Sequence, residues 1–132
     1  MNIMRDRVTY WFFTSIIILT VILLFTIIDH SIHVLKLAWS VPNYYFRNKI
    51  PFGFLWGIVG FYCTHKSENI WIKAMIFSGI VSITLQTRYF IEGFSLNFVL
   101  TFLLIHFIII YLLVIVMFLV FRRYNINYKL TT

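Results

Sequence analysis

Three side chains in an otherwise apolar chain are of types that bind transition metals. Asp29 and His33 are four residues apart, so they share one face of a helix, and both carboxylate and imidazole groups ligate such metals. His106 stands alone in a long apolar segment. Asp29, His33 and His106 are therefore candidate metal ligands. The alternative is structural, because a solitary histidine inside a membrane usually hydrogen-bonds to a neighbouring helix.

A second polar group follows further along the chain. Arg88 and Glu92 are also four residues apart, so they can form an ion pair on one helix face. This pair either supports the structure near the membrane surface or serves a substrate, a lipid or a proton path. With Asp29 it forms a predicted polar cluster in the outer leaflet. His30 faces another side of its helix, and His65 belongs to the opposite side of the membrane.

The elements that hold these residues are predicted to lie in a membrane. Of 132 residues, 61% are apolar, 20% are aromatic and 11% are charged, and the mean hydropathy is +0.91. A soluble domain is about 45–50% apolar and about 25% charged, and a small domain cannot hide the excess apolar surface. The composition excludes a soluble enzyme, a disordered chain and a disulfide-stabilised scaffold. The single cysteine, Cys63, is predicted to be a small core residue.

The apolar segments predict an all-α integral membrane protein, a bundle of four transmembrane helices in one domain. The predicted helices cover residues 8–39, 50–64, 70–94 and 97–123, within a domain of residues 1–132 that ends in a polar tail, 124–132. The first is expected to be retained, because no small-residue cleavage site follows its apolar segment. Helical spacing continues from Asp29 to Trp39, which predicts an interfacial helix that Pro42 ends.

The second predicted helix, residues 50–64, is short. Its 15 residues reach about 22 Å, whereas the hydrocarbon core is about 30 Å thick, so a re-entrant segment in a three-span protein is the alternative. Small residues recur every fourth position on the second and third helices and predict close packing against protein. They are Gly53 and Gly57, and Ala74, Ser78 and Ser82.

The basic residues predict the orientation of the chain. Eleven Lys and Arg residues against four Asp and Glu give a net charge of +7, and most of them flank apolar segments. This position favours anionic lipid over nucleic acid as the partner. Both ends of the chain are basic, so both termini are predicted to be cytoplasmic, which requires an even number of spans.

Three functions are compatible with this pattern. The preferred one is an accessory or structural subunit of a larger membrane complex, without catalytic activity of its own, in contact with the bilayer and with other integral membrane subunits. The alternative is a subunit of a copper- or heme-dependent membrane oxidase or monooxygenase, with the outer-leaflet histidines near the metal. The third is a small oligomeric channel or transporter, which lacks the expected internal repeat and central charge.

Overall fold

The chain is almost entirely helical. The computed structural model describes residues 3–123, of which 88% are helical and none is in a strand. Four α-helices follow one another: α1 at Ile3–His33, α2 at Tyr44–Cys63, α3 at Ile70–Ile91 and α4 at Leu96–Arg123. Short 3₁₀ helices at Leu37–Trp39 and Thr64–Lys66 lie in the first two connections. The predicted polar tail, 124–132, lies outside the described residues.

Local sequence signals account for the limits of α3. The side chain of Asn69 accepts a hydrogen bond from the backbone N–H of Trp71 at 2.9 Å and so caps the first turn. The helix ends before Gly93, whose φ of +89° is readily adopted only by a residue without a Cβ. The chain then turns directly into α4.

The predicted interfacial helix is not confirmed. α1 ends at His33 rather than at residue 39, and a turn and a 3₁₀ helix follow. The backbone folds back at this point. This is shown by the distance of 2.6 Å between Nδ1 of His33 and the carbonyl oxygen of Trp39. A straight helix would hold these two groups about 9 Å apart, at 1.5 Å per residue.

Other helix limits also differ from the prediction. α2 begins at Tyr44, six residues before the predicted start, so the aromatic and basic segment before residue 50 is helical. α3 ends at Ile91 rather than at residue 94. Cys63 is exposed, so its predicted place in the core is also wrong.

Three helices are long and apolar enough to cross a membrane: Arg7–His33, Ile70–Ile91 and Leu96–Arg123. The protein is therefore a helical chain with three candidate transmembrane helices. α2 is not among them, although it has 20 residues, because Arg47, Asn48 and Lys49 make its first turns polar. A membrane span by α2 and the cytoplasmic position of both termini stay predictions.

The α-helices pack side by side and antiparallel. Each contacts the next along the chain, and α4 also contacts α1. The core between them is apolar and includes Ile18, Ile22, Phe25, Phe77, Val81, Ile110 and Val114. Consequently the end of α1, the start of α2, the end of α3 and the start of α4 meet at one end of the molecule, which we call the Asp29 end.

The small residues of α2 and α3 lie inside this packing. A Cβ at Gly57 would stand 2.7 Å from Cγ2 of Ile18, and one at Gly53 would stand 3.0 Å from Cγ2 of Ile22, so these glycines allow α1 and α2 to approach closely. The three small residues of α3 are fully buried: Ala74, Ser78 and Ser82. The packing faces predicted from the sequence are thus used within the chain.

Candidate metal centre

The buried carboxylate of Asp29 is the centre of the polar site. Asp29 is in the next-to-last turn of α1 and is 0% exposed. Its Oδ2 forms an ion pair with Nζ of Lys49 from α2. Its Oδ1 lies 2.7 Å from Nε2 of His106 on α4 and 3.4 Å from Nε2 of His33, one turn further along α1. Three helices therefore converge on one carboxylate.

The ring of His33 is fixed in orientation and tautomer. The Trp39 carbonyl can only accept a hydrogen bond, so Nδ1 of His33 carries the ring hydrogen and donates a hydrogen bond to this carbonyl. The ring also stacks on Phe102 of α4, with centroids 4.1 Å apart. In the neutral imidazole, Nε2 then carries a lone pair. This atom is buried and makes no hydrogen bond within the described part of the chain.

His106 has the opposite tautomer. The amide nitrogen of Gln86 on α3 lies 2.6 Å from Nδ1 of His106 and can only donate, so Nδ1 accepts. Nε2 therefore carries the ring hydrogen and donates a hydrogen bond to Asp29. The other atom of the amide, Oε1 of Gln86, is buried without a hydrogen bond among the described residues.

Lys49 provides the positive charge that Asp29 needs. It is 4% exposed, and its Nζ lies 5.1 Å from the ring centroids of Phe46 and Tyr89. Aromatic faces attract a cation, which offsets part of the cost of removing the ammonium from water. With both histidines neutral, the site carries one positive and one negative charge and is neutral overall.

The donor atoms of Asp29, His33 and His106 all lie within 4.8 Å of one another. Two ligands about 2.1 Å from a tetrahedral ion lie about 3.4 Å apart. Nε2 of His33 and Oδ1 of Asp29 already have that separation. Nε2 of His106 is closer to Oδ1, because a proton lies between them. This nitrogen can be a ligand only if it loses that proton and moves away from Oδ1.

A cleft of about 320 Å³ leads toward His33 from the surface. It lies between the last turn of α1, the connection that follows and the start of α2, and its lining includes His30, His33, Lys36 and Phe46. His30 is exposed, so it faces away from Asp29 as predicted, and its ring meets Phe46 edge-on. The cleft therefore borders the side chain of His33, whereas Asp29 and His106 do not line it.

The remaining predicted polar residues lie outside this centre. Nε of Arg88 donates to Oε1 of Glu92 at 3.2 Å, and this half-exposed pair does not bond to Asp29. Arg88 and Glu92 are at the Asp29 end but line a different groove. His65 is in the connection after α2, near Trp11 and Phe61 at the other end of the helices.

Sequence reasoning missed two members of the site, Lys49 and Gln86. Lys49 looked like one of several basic residues at the membrane surface. However, Lys49, Gly53 and Gly57 recur every fourth residue, so the lysine lies on the glycine face that packs against α1. Gln86 likewise continues the small-residue face of α3. These spacings were the available signal that both side chains are buried.

Comparisons of the chain with protein-family models, with curated proteins and with solved structures found no match.

Proposed function

We propose that this protein binds a divalent transition metal ion through Asp29, His33 and His106. The observation that carries the proposal is the buried, unpartnered Nε2 of His33, which faces Oδ1 of Asp29 across 3.4 Å. In neutral His33 both atoms present lone pairs, and two lone pairs at this distance in a buried site repel each other. A cation between them turns that repulsion into attraction. The cation is either a second proton on His33 or a metal ion.

The second coordination sphere also suits a metal ion. Metal-binding histidines commonly donate their other ring N–H to a carbonyl or carboxylate, and His33 does so to Trp39. Rotation of the Gln86 amide by 180° brings Oε1 to Nδ1 of His106. That oxygen then accepts a hydrogen bond from a protonated Nδ1, and Nε2 is left with a lone pair for the metal. The rotation gives Oε1 of Gln86 a hydrogen bond and removes the one that its amide nitrogen makes, so the number of hydrogen bonds does not change.

The ligand types indicate the class of metal. Two imidazoles and a carboxylate suit zinc, copper, nickel or ferrous iron better than calcium or magnesium. A heme fits less well, because Phe102 stacks on His33 and Phe25 meets His106 edge-on at 4.9 Å, so aromatic rings fill the space that a porphyrin needs. Of the two predicted cofactors, copper fits the site better than heme. Membership in a copper-dependent membrane oxidase or monooxygenase is therefore the form of that alternative that we retain as a proposal.

Metal content measured by elemental mass spectrometry tests this function. The full chain is purified in mild detergent, incubated with Zn²⁺ or Cu²⁺, and separated from free metal. We expect about one ion per chain in the wild type and loss of that ion in His33→Gln, which keeps a polar side chain. His30→Gln is the matched control, because His30 is exposed three residues earlier on the same helix.

Either of two results contradicts the metal proposal. The first is a wild-type protein without bound metal after incubation with both ions. The second is equal metal content in His33→Gln and the wild type. Circular dichroism confirms that each variant keeps its helices. If no metal binds, the site is a structural network of hydrogen bonds and ion pairs around Asp29.

The predicted role as an accessory subunit has one observation in its favour. A Cβ at Gly79, in the middle of α3, would meet nothing within 4 Å. Glycine in a helix costs about 0.5–1 kcal/mol relative to alanine, and nothing in the described chain requires it here. A partner helix that packs against α3 would require it. Native mass spectrometry of wild type and Gly79→Ala tests this, and a monomer without partners contradicts it.

No contact in the described part of the chain favours the alternative function, a small oligomeric channel or transporter. The residues that could line a water path do not lie together. Ser78, Ser82 and Gln86 are buried among side chains of the helical core, whereas Arg88 and Glu92 line a groove at the surface. The hydroxyl of Ser78 donates to the carbonyl of Ala74 in its own helix.

A further inference from the structure

A groove of about 470 Å³ lies between α2 and α3 at the Asp29 end. We call it the α2–α3 groove. Asn48, Arg88 and Glu92 line one part of it, and Phe52, Trp56 and Leu85 line the other. Phe52 and Trp56 are exposed, so the groove is on the outer face of the protein. It is distinct from the cleft that leads to His33.

The polarity of the groove changes along the helix axis. Asn48, Phe52 and Trp56 are on successive turns of α2 and span about 12 Å. The charged residues are nearest the helix ends, and the large apolar side chains of Phe52, Trp56 and Leu85 are deeper along the helices. Thr84 at the deep end and Ile91 at the charged end are the exceptions. In a membrane this places the polar part at the headgroup level and the apolar part at the level of the acyl chains. The groove therefore has the polarity of a lipid molecule.

The polar part presents both charges side by side. Arg88 and Glu92 are 32% and 34% exposed, and they are joined by a single hydrogen bond from Nε of Arg88. The guanidinium stacks on the ring of Tyr45, with Cζ 4.6 Å from the centroid, which holds it in place. The amide oxygen of Asn48, when turned toward Arg88, accepts from Nη1 at 3.2 Å. Guanidinium N–H groups and a carboxylate oxygen remain for a ligand.

We propose that the α2–α3 groove binds a zwitterionic glycerophospholipid. Its phosphate contacts the guanidinium of Arg88, its ammonium group contacts Glu92, and one acyl chain lies along Phe52, Trp56 and Leu85. An anionic lipid such as phosphatidylglycerol offers Arg88 the same phosphate but has no ammonium group to meet Glu92. Free phosphate would leave the apolar part of the groove unused. This proposal does not depend on the metal proposal.

Competition between two lipids tests the proposal. Delipidated full-length protein in detergent receives equal amounts of phosphatidylethanolamine and phosphatidylglycerol with identical acyl chains, and native mass spectrometry counts the bound lipids. We expect the wild type to retain phosphatidylethanolamine preferentially. The preference should be about two- to fivefold, the range expected for one partly exposed ion pair.

The variants separate the two charges. Glu92→Gln should abolish the preference or shift it toward phosphatidylglycerol, and Arg88→Gln should reduce the binding of both lipids. Arg47→Gln is the matched control, because Arg47 is an exposed arginine at the same end that does not line the groove. Equal retention of both lipids by the wild type overturns the proposal, and so does a preference that Glu92→Gln leaves unchanged.

A fluorescence measurement keeps the test valid if a charge variant does not fold. One equivalent of phosphatidylethanolamine brominated in the acyl chain should quench part of the tryptophan emission of the wild type in detergent. Trp56→Phe should remove most of that quenching. Quenching that is the same in Trp56→Phe and in the control Trp71→Phe overturns the assignment of the acyl chain to this groove.

Discussion

Replacement of Lys49 by methionine tests the metal centre more stringently than removal of a ligand. The variant Lys49→Met keeps a long apolar side chain but removes the ammonium that pairs with Asp29. Removal of one partner of a buried ion pair costs about 3–5 kcal/mol. Asp29 is 0% exposed and keeps one hydrogen bond, from His106 at 2.7 Å. We therefore expect the free energy of unfolding of Lys49→Met to be lower than that of the wild type by about 3 kcal/mol, near the lower limit of this range.

The same substitution should strengthen metal binding. In the wild type a divalent ion raises the net charge of the neutral site to +2, whereas in Lys49→Met the ion meets an uncompensated carboxylate. The free energy lost by the metal-free variant is regained when the metal becomes the counter-ion of Asp29. A loss of about 3 kcal/mol, fully regained, corresponds to an affinity gain of about 100-fold.

Thermal unfolding in detergent, with and without Zn²⁺, measures both effects. Metal-free Lys49→Met should unfold at a lower temperature than the wild type, and Zn²⁺ should raise its midpoint by more than it raises that of the wild type. Lys66→Met, which removes an exposed lysine at the other end, is the control and should show neither effect. A destabilised Lys49→Met that Zn²⁺ does not rescue refutes the metal centre. Unchanged stability of the metal-free variant refutes the buried ion pair itself.

Three further substitutions test the packing and the second coordination sphere. Gly57→Ala should lower the stability by about 1–3 kcal/mol, because its Cβ would stand 2.7 Å from Cγ2 of Ile18. Gly79→Ala should leave the stability of the isolated chain unchanged or raise it by up to about 1 kcal/mol, so equal thermal shifts in the two glycine variants contradict the packing. Gln86→Leu should reduce metal affinity about 10- to 100-fold, as the loss of an outer-shell hydrogen bond to a ligand does. Titration with Zn²⁺ checks this, and an affinity equal to that of the wild type excludes the amide from the site.

The helical nature of the chain and its three candidate transmembrane helices among the described residues follow from simple sequence patterns. Long uncharged segments predicted membrane helices, and three helices of the structure have the required length and hydropathy. The proximity of Asp29 and His33 follows from their spacing, because residues four apart share a helix face. Their proximity to His106 follows from the antiparallel order of the helices, which places the start of α4 beside the end of α1.

Two features that the sequence did not predict, the end of α1 at His33 and the burial of Lys49, depend on tertiary contacts. The periodicity of polar residues continues past His33, yet α1 ends there because the His33 ring bonds to the carbonyl of Trp39. Lys49 belongs to an aromatic and basic segment typical of a membrane surface, and only the glycine face of α2 reveals that it is buried. A buried carboxylate requires a cation, but the sequence offered Lys36, Lys49 and other basic residues at the same end.

The long sequence separations within the polar centre have a consequence for biosynthesis. Asp29 and Lys49 are 20 residues apart, and Asp29 and His106 are 77 residues apart. Because a chain is made from its N-terminus, α1 emerges from the ribosome carrying a carboxylate whose partners do not yet exist. A lone aspartate near the middle of a helix costs about 2.5–3.5 kcal/mol on insertion scales. Asp29 is near the end of α1, beyond an uncharged segment of 19 residues, where the growing chain can keep it in the headgroup layer until α2 delivers its lysine.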